Sequence, residues 1–364
     1  CFDREGNLLI MSKESISGLY LYMFEPLAQP KTVYLKAVLF LKRLEVEGAM
    51  ITYRFYEPGD EPKVVQLWHK CLPKAQITQK RFRHLVLLDA NFAPEGLRLA
   101  FAGDALVGCV YAVRRLLPMQ GTDLEQDNGW IPFFFVEKAY SHQGVGSQLL
   151  NEACAFLREA VRKHVFFASY APNYILPGID EAAYPEGYQF LLKHGFAIQY
   201  SPVAMDRSLV GYEVPADVQA LKQQREQEGY TFEIARDSDL YEVIQFANNV
   251  LNPDWGRAIR EGILQGLPME RILVAREGKK LVGFCLYGGY EGVPDRFGPF
   301  GVDPKQQGKG LGKILLYDCL HLMQSEGLHS AWFLWTGEQS SAGYLYKRAG
   351  FQVTRQFHVM KKAL

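Results

Sequence analysis

At 364 residues, with 48% apolar residues and 40 Lys and Arg against 40 Asp and Glu, the chain has room for two ordinary globular domains and carries no net charge. Without a basic run it does not read as a nucleic-acid binder, and no apolar stretch is long enough to span a bilayer. Its six cysteines form no C-x-x-C pair and four of them fall in apolar segments, which speaks against a disulfide framework or a metal site and for a reducing, cytoplasmic setting.

Residues 1–49 contain one apolar stretch, "VYLKAVLFLKRL", broken by Lys36, Lys42 and Arg43 and followed by no small-residue cleavage site. The expectation is an N-terminal extension without chemistry, a lipid-anchored Cys1 being the alternative. Met50 then opens a clear strand pattern, "ITYRFYE".

From residue 50 the chain repeats itself. "LVG" at Leu106–Gly108 recurs at Leu281–Gly283. "VEKAYSHQGVGSQLL" from Val136 matches "VDPKQQGKGLGKILL" from Val302, and "LLKHGF" ending at Phe196 matches "YKRAGF" ending at Phe351. The order is the same, and the shrinking spacing assigns longer loops to the first copy, in "RRLLPMQGTDLEQDNGW" and "SYAPNYILPGIDEAAYPEGY". The expected organisation is a domain over 50–210, a polar linker over 211–229 with a helical turn or two, and a second domain over 230–364.

The second copy gives the pattern of both. The strand "YTFEIA" precedes a helix starting at Asp237 or Ser238, residues suited to capping. Two strands joined by a glycine turn follow in "RILVAREGKKLVGFCLYGG", then the strand "RFGPFGV". The next helix, "GKILLYDCLHLMQSEG", has an apolar face of Ile314, Leu315, Tyr317, Leu320, Leu322 and Met323. The strand "SAWFLWT", a helix closed by Gly350 and a last strand "FQVTRQFHVMKK" complete it. The fold class is α/β, a mixed and mostly antiparallel twisted sheet flanked by helices, present twice.

Gly308, Gly310 and Gly312 stand at the turn into the long helix. Residues without Cβ let backbone N–H groups close around an anion, and the helix end adds positive potential. Lys309 and Lys313 supply further charge. The spacing matches neither a dinucleotide fingerprint nor a Walker loop.

The whole constellation resembles the GNAT N-acetyltransferases. "V-D-P-K-Q-Q-G-K-G-L-G" has that family's V-x-P-x-x-[QR]-G-x-G-x-G form, and "QSSAGYLYKRAGF" resembles its second motif, with Gln339 in place of the usual Asn and Ala342, Leu345, Tyr346, Gly350 and Phe351 matching. Residues 50–364 read as a tandem pair, an arrangement similar to mycothiol synthase and tandem amino-sugar acetyltransferases. The resemblance implies acetyl-CoA as co-substrate, no metal, and direct attack by a primary amine of a small molecule, an amino sugar among the candidates. It implies that main-chain groups of Phe300, Gly301 and Val302 hold the pantetheine arm in a cleft between splayed strands. It places the pyrophosphate on Gln307, Gly308, Lys309, Gly310, Leu311 and Gly312, with Lys313 and Gln339 beside it. Tyr346 takes the role of the acid that protonates the leaving thiolate.

The family's usual glutamate base falls at Gly298, so the base stays open among Asp295, Glu291 and Glu338. Asp254 and Trp255 stand where the acceptor loop falls, and Trp255, Trp332 and Trp335 are candidate pocket walls. The first copy departs from the pattern, with Lys138, Ser141 and His142 in the anion turn and Leu191 at the tyrosine position, so the working domain is expected to be the C-terminal one. The alternative is a CoA- or metabolite-sensing protein on the same fold without turnover. A monomer or homodimer is expected, with no nucleic-acid or membrane partner.

Overall fold

The computed structural model describes residues 50–119, 121–171 and 173–364; the expectations for residues 1–49 lie outside the described residues. In the first copy, β1 (Ile51–Phe55) pairs antiparallel with β2 (Leu97–Ala102), β2 with β3 (Ala105–Val113), and β3 with β4 (Asn128–Val136). Eight of the nine β3 residues are buried, because helix α1 (Glu61–Cys71) covers one face of the strand and helix α3 (Val145–Glu159) the other. Between α1 and β2, α2 (Gln79–Phe82) runs into a π-helical turn (Arg83–Leu87). β4 pairs with β5 (His164–Phe167) in parallel, and helix α4 (Pro185–Lys193) leads to β6 (Ala197–Tyr200).

The second copy repeats this plan. Strands β8 (Tyr230–Ile234), β9 (Ile272–Glu277), β10 (Lys280–Tyr287) and β11 (Phe297–Val302) form one antiparallel sheet. Helices α6 (Leu240–Phe246) and α7 (Pro253–Leu264) lie between β8 and β9, and α8 (Leu311–Ser325) packs on β10. Strand β12 (Ser330–Thr336) and helix α9 (Ser341–Arg348) follow, the latter capped by Ser340 Oγ, which accepts from Gly343 N. The linker over 211–229 holds a full helix, α5 (Ala216–Gln227).

Each copy closes its last helix with a glycine turn and ends in two strands, and the second of these two crosses to the other copy. β7 (Val203–Ser208) lies between β12 and β13 (Gln352–Gln356), and β14 (Val359–Ala363) lies between β5 and β6. Met205 stands opposite Phe333, and Met360 opposite Phe167. "FQVTRQFHVMKK" is therefore two strands, not one, broken at Phe357 and His358. The alternation explains the break: β13 is exposed at most positions, whereas Val359 and Met360 are fully buried. Val203 and Met205 likewise belong to the second copy's core. Burying each such side chain contributes about 1.5–3 kcal/mol, so each copy's stability depends on a strand from the other. A boundary drawn along the chain does not coincide with the boundary in space.

Among the described residues, no helix is long and apolar enough to cross a membrane, no group of three or more His, Cys, Asp or Glu is placed to hold a metal ion, and five cysteines are free thiols.

Candidate active site

β4 and β5 separate because of their backbone. The parallel register ends at Ile131 and Phe167, and Ala168 N makes the last bond, to Ile131 O at 2.9 Å. Ala168 and Ser169 then adopt φ of 60° and 54°, a region that L-residues avoid, and the chain turns away from β4. Phe134, Phe135 and Val136 pair with β3 on one edge, and their other edge therefore faces a cavity rather than a second strand.

That cavity is large, about 1750 Å³, against roughly 300–1,000 Å³ for an ordinary small-molecule pocket. At one end lies the first copy's turn. His142 has φ 60° and Gly144 has φ 84°, and a Cβ on Gly144 would meet nothing within 4 Å. Helix α3 starts at Val145 and points its free N–H groups at this end. Behind it, His194 Nδ1 donates to the Phe190 carbonyl at 2.8 Å, so in the neutral ring Nε2 accepts from Ser147 Oγ at 3.1 Å. Seven Lys and Arg side chains against four Asp and Glu line the cavity, an excess that suits a polyanion.

Two ionisable side chains of the cavity wall keep their protons at neutral pH. Burial pushes the Cys71 thiol up to about 11, with help from Glu137, so it is not a thiolate nucleophile. Tyr184, also raised by burial, accepts from Lys74 N at 3.2 Å and keeps its own proton to donate.

The opposite wall comes from the second copy, including Glu291, Arg296 and Trp332. Glu291 Oε2 accepts from Arg81 Nε at 2.5 Å, and Oε1 accepts from Arg81 Nη2 at 3.2 Å and Arg296 Nη1 at 3.3 Å. Burial alone would raise Glu291; the Arg81 hydrogen bond and the charges of Arg81 and Arg296 outweigh it and hold the carboxyl below its ordinary range.

The second copy's turn is arranged differently. Gly310 has φ 77° and opens α8 as expected, but linker helix α5 lies against it: a Cβ on Gly310 would meet Leu221 Cδ2 at 2.8 Å. Lys313 Nζ is bound to Asp217 Oδ2 at 2.6 Å, and Arg225 Nε donates to the Lys309 carbonyl at 2.7 Å. Lys309 Nζ is held by Tyr230 OH at 2.6 Å. Gln307, Gly308 and Gln339 are exposed. Beyond a single parallel bridge at Arg296 and Trp332, the space between β11 and β12 holds an aromatic cluster. Tyr346 sits inside it, its ring centroid 4.5 Å from Phe333, 5.9 Å from Phe297 and 6.2 Å from Phe300, and burial raises its phenol far above the ordinary value. Gly301 is packed under Leu251 and Trp255, and Gly312 lies under Phe300.

The two turns thus differ in what packs on them: α5 lies against Gly310 in the turn that carries the full motif, whereas Gly308 of that turn and Gly144 of the first copy's turn meet open space. Glu338 is paired with Lys347 at 2.6 Å, and Asp295 accepts from Ser330 Oγ at 3.1 Å. Of the three candidate bases only Glu291 borders the large cavity, and its two arginine partners make it a weak base. Trp332 lines that cavity, whereas Trp335 is exposed against Tyr200 and Trp255 packs by Phe284. Asp254 Oδ2 accepts from Tyr174 OH at 2.5 Å within the seam between the copies. Lys74, Arg81, Tyr184 and Arg296 were not legible as site residues, since no spacing links them; only the long tyrosine-rich insert hinted at the place.

Comparison with known proteins agrees with this architecture. The family model described as "Acetyltransferase (GNAT) family" matches residues 62–175, and "Acetyltransferase (GNAT) domain" matches residues 268–353. A curated relative, the mycothiol acetyltransferase of Rhodococcus erythropolis (strain PR4 / NBRC 100887), is 36% identical over 59 residues, covering 16% of this chain and 19% of its own; the chain matches only about a fifth of that relative's length. Among solved structures, a GCN5-related N-acetyltransferase from Sphaerobacter thermophilus superposes with TM-score 0.64 at 16% identity over 86% of this chain and 95% of its own. A glucosamine N-acetyltransferase region of a fungal multi-domain GH3 beta-N-acetylglucosaminidase gives 0.71 at 17% identity, covering 86% of this chain and 38% of that one. A tandem GNAT protein from the clavulanic acid biosynthesis pathway gives 0.57 at 15% identity, covering 86% and 98%. At these identities the superpositions carry the fold alone; with the two sequence matches they make this chain a tandem pair of GNAT acetyltransferase domains.

Proposed function

We propose that the protein is an acetyl-CoA-dependent N-acetyltransferase whose working cleft lies in the first copy. The observation that carries this reading is the contrast between the two turns: the first opens into a cavity of about 1750 Å³, and in the second α5 packs against Gly310. The residues present suit the co-substrate. The N–H groups at the start of α3 take the pyrophosphate, Lys138 and Lys193 of the first copy's lining offset its charge, and the unpaired edge of Phe134, Phe135 and Val136 is available to the pantetheine amides.

Transfer is direct. The amine nitrogen attacks the thioester carbonyl, a C–N bond forms, the C–S bond breaks, and the amine's surplus proton passes to water. Cys71 holds its proton, so no covalent acetyl-enzyme forms on it. Tyr184 protonates the departing thiolate, the task that the motif would give to the tyrosine position occupied here by Leu191, and regains its proton from water. Holding amine and thioester in one cavity makes the step effectively unimolecular.

Leu191 favours a second reading, a CoA-binding protein without turnover. Release of free thiol from acetyl-CoA in the presence of amino acids, amino sugars and polyamines separates the two. Tight acetyl-CoA binding with no thiol released from any amine sinks the enzyme reading.

A further inference from the structure

The cavity wall supplied by the second copy contains a buried cation with bonds to spare. Arg296 is 8% exposed and lines the cavity. Its guanidinium carbon lies 4.4 Å from the Tyr290 ring centroid and 5.6 Å from that of Trp332, which fixes its plane. Nη1 donates to Glu291, while Nε and Nη2 meet no acceptor among the described residues. Glu291 is also bound by Arg81. Two guanidinium groups thus share one carboxylate, and one positive charge is left over. Arg355, nearby on the same cavity, is matched one-to-one by Asp180.

Such a group selects its ligand. A planar fork with free donors, on a side chain that is mostly buried, pairs with a carboxylate through two parallel hydrogen bonds. A polyamine would add a cation beside an unbalanced cation. A neutral sugar amine would leave those donors to water and the local charge uncompensated. We propose, resting on the acetyl-transfer reading above, that Arg296 binds a carboxylate of the acceptor, and that the acceptor is therefore an amino acid or a peptide-like amine. The acceptor subsite then belongs to the second copy and the cofactor subsite to the first, which gives the covered copy a role that does not need its own glycine turn. Arg296 sets specificity, and Glu291 and Arg81 position it.

The test uses the full chain saturated with CoA and follows binding by calorimetry. The probes are N-acetylglycine, N-acetylglutamate and N-acetyl-lysine, each beside its C-terminal amide. At least one acid binds at least tenfold tighter than its amide, and Arg296→Gln removes the difference while acetyl-CoA affinity is unchanged. Arg296→Lys, which keeps the charge and loses the fork, recovers only part of it. Equal binding of every acid and its amide to the wild-type chain, or no binding of any, overturns the proposal without needing a variant. Selective binding of an acid with no thiol release would instead uphold this subsite and sink the transfer reading. Thiol release with glucosamine or spermidine in preference to all amino acids would uphold the transfer reading and sink this subsite.

Discussion

Leu221 of the linker helix stands 2.8 Å from the point that a Cβ on Gly310 would occupy. The same helix holds Lys313 through Asp217 and caps the Lys309 carbonyl through Arg225. A carboxylate thus sits on a lysine that the motif would aim at a phosphate. The chain should bind one acetyl-CoA, not two. Gly144→Glu should abolish that binding by placing a like charge in the anion turn. Gly310→Glu should leave the affinity within about threefold and instead cost roughly 2 kcal/mol of stability, from its positive φ and the Leu221 contact. Isothermal calorimetry and denaturant midpoints check both; two equivalents bound to the wild type would count against the covered turn.

On the proposed reading, Tyr184 takes the acid role that the motif gives to Tyr346. Tyr184→Phe should lower kcat roughly ten- to a thousandfold, the usual span of general acid effects, with little change in acetyl-CoA affinity. Tyr346→Phe should leave kcat within twofold, because its ring is packed among Phe297, Phe300, Phe333 and Phe351 and the substitution keeps that packing. Steady-state kinetics on the two variants decides the point, and the reverse pattern would place catalysis in the second copy.

Met360 is fully buried in the first copy's sheet although it lies near the C-terminal end of the chain. Met360→Ala should cost about 2–5 kcal/mol, and Met205→Ala a similar amount in the other sheet. Each loss should appear in a single unfolding transition of the whole chain, since neither sheet is complete without the other copy's strand. Two resolved calorimetric transitions would contradict that coupling.

Glu291→Gln should destabilise the protein at pH 7 by roughly 3 kcal/mol, because it leaves Arg81 and the buried Arg296 without their shared carboxylate. The folded-state pKa of Glu291 is depressed, so its contribution is fully present above the unfolded value near 4.5 and is lost as the pH falls through the lower folded value. The gap between wild type and variant in urea midpoints should therefore hold from pH 7 to about 5 and shrink below that. A gap independent of pH down to the acid transition would mean that the carboxylate charge is not what stabilises the seam.

The sequence by itself determined the fold and the duplication. Glycine at 308, 310 and 312, the L-Y-x-x-x-G-F spacing and the 3.6-residue face of α8 are local signals, set by backbone freedom and helix periodicity, and the structure reproduces the elements they mark. What only the tertiary structure decided is what packs on each turn. A motif reports that a turn is able to hold an anion; it does not report what packs on top. The linker over 211–229 read as a polar connector with little helix, because only Val218 of α5 is fully buried and the rest of its sequence is that of a solvated helix. Yet Leu221, Asp217 and Arg225 pack on the turn at Gly310 through contacts made across long stretches of chain. The exchange of β7 and β14 was hidden for a similar reason: the alternation predicts strands, but a strand's partner is chosen by which sheet edge is free, not by its own pattern. Arg81 comes from the first copy and Glu291 and Arg296 from the second, so the cavity wall they form has no signature in any single stretch of sequence.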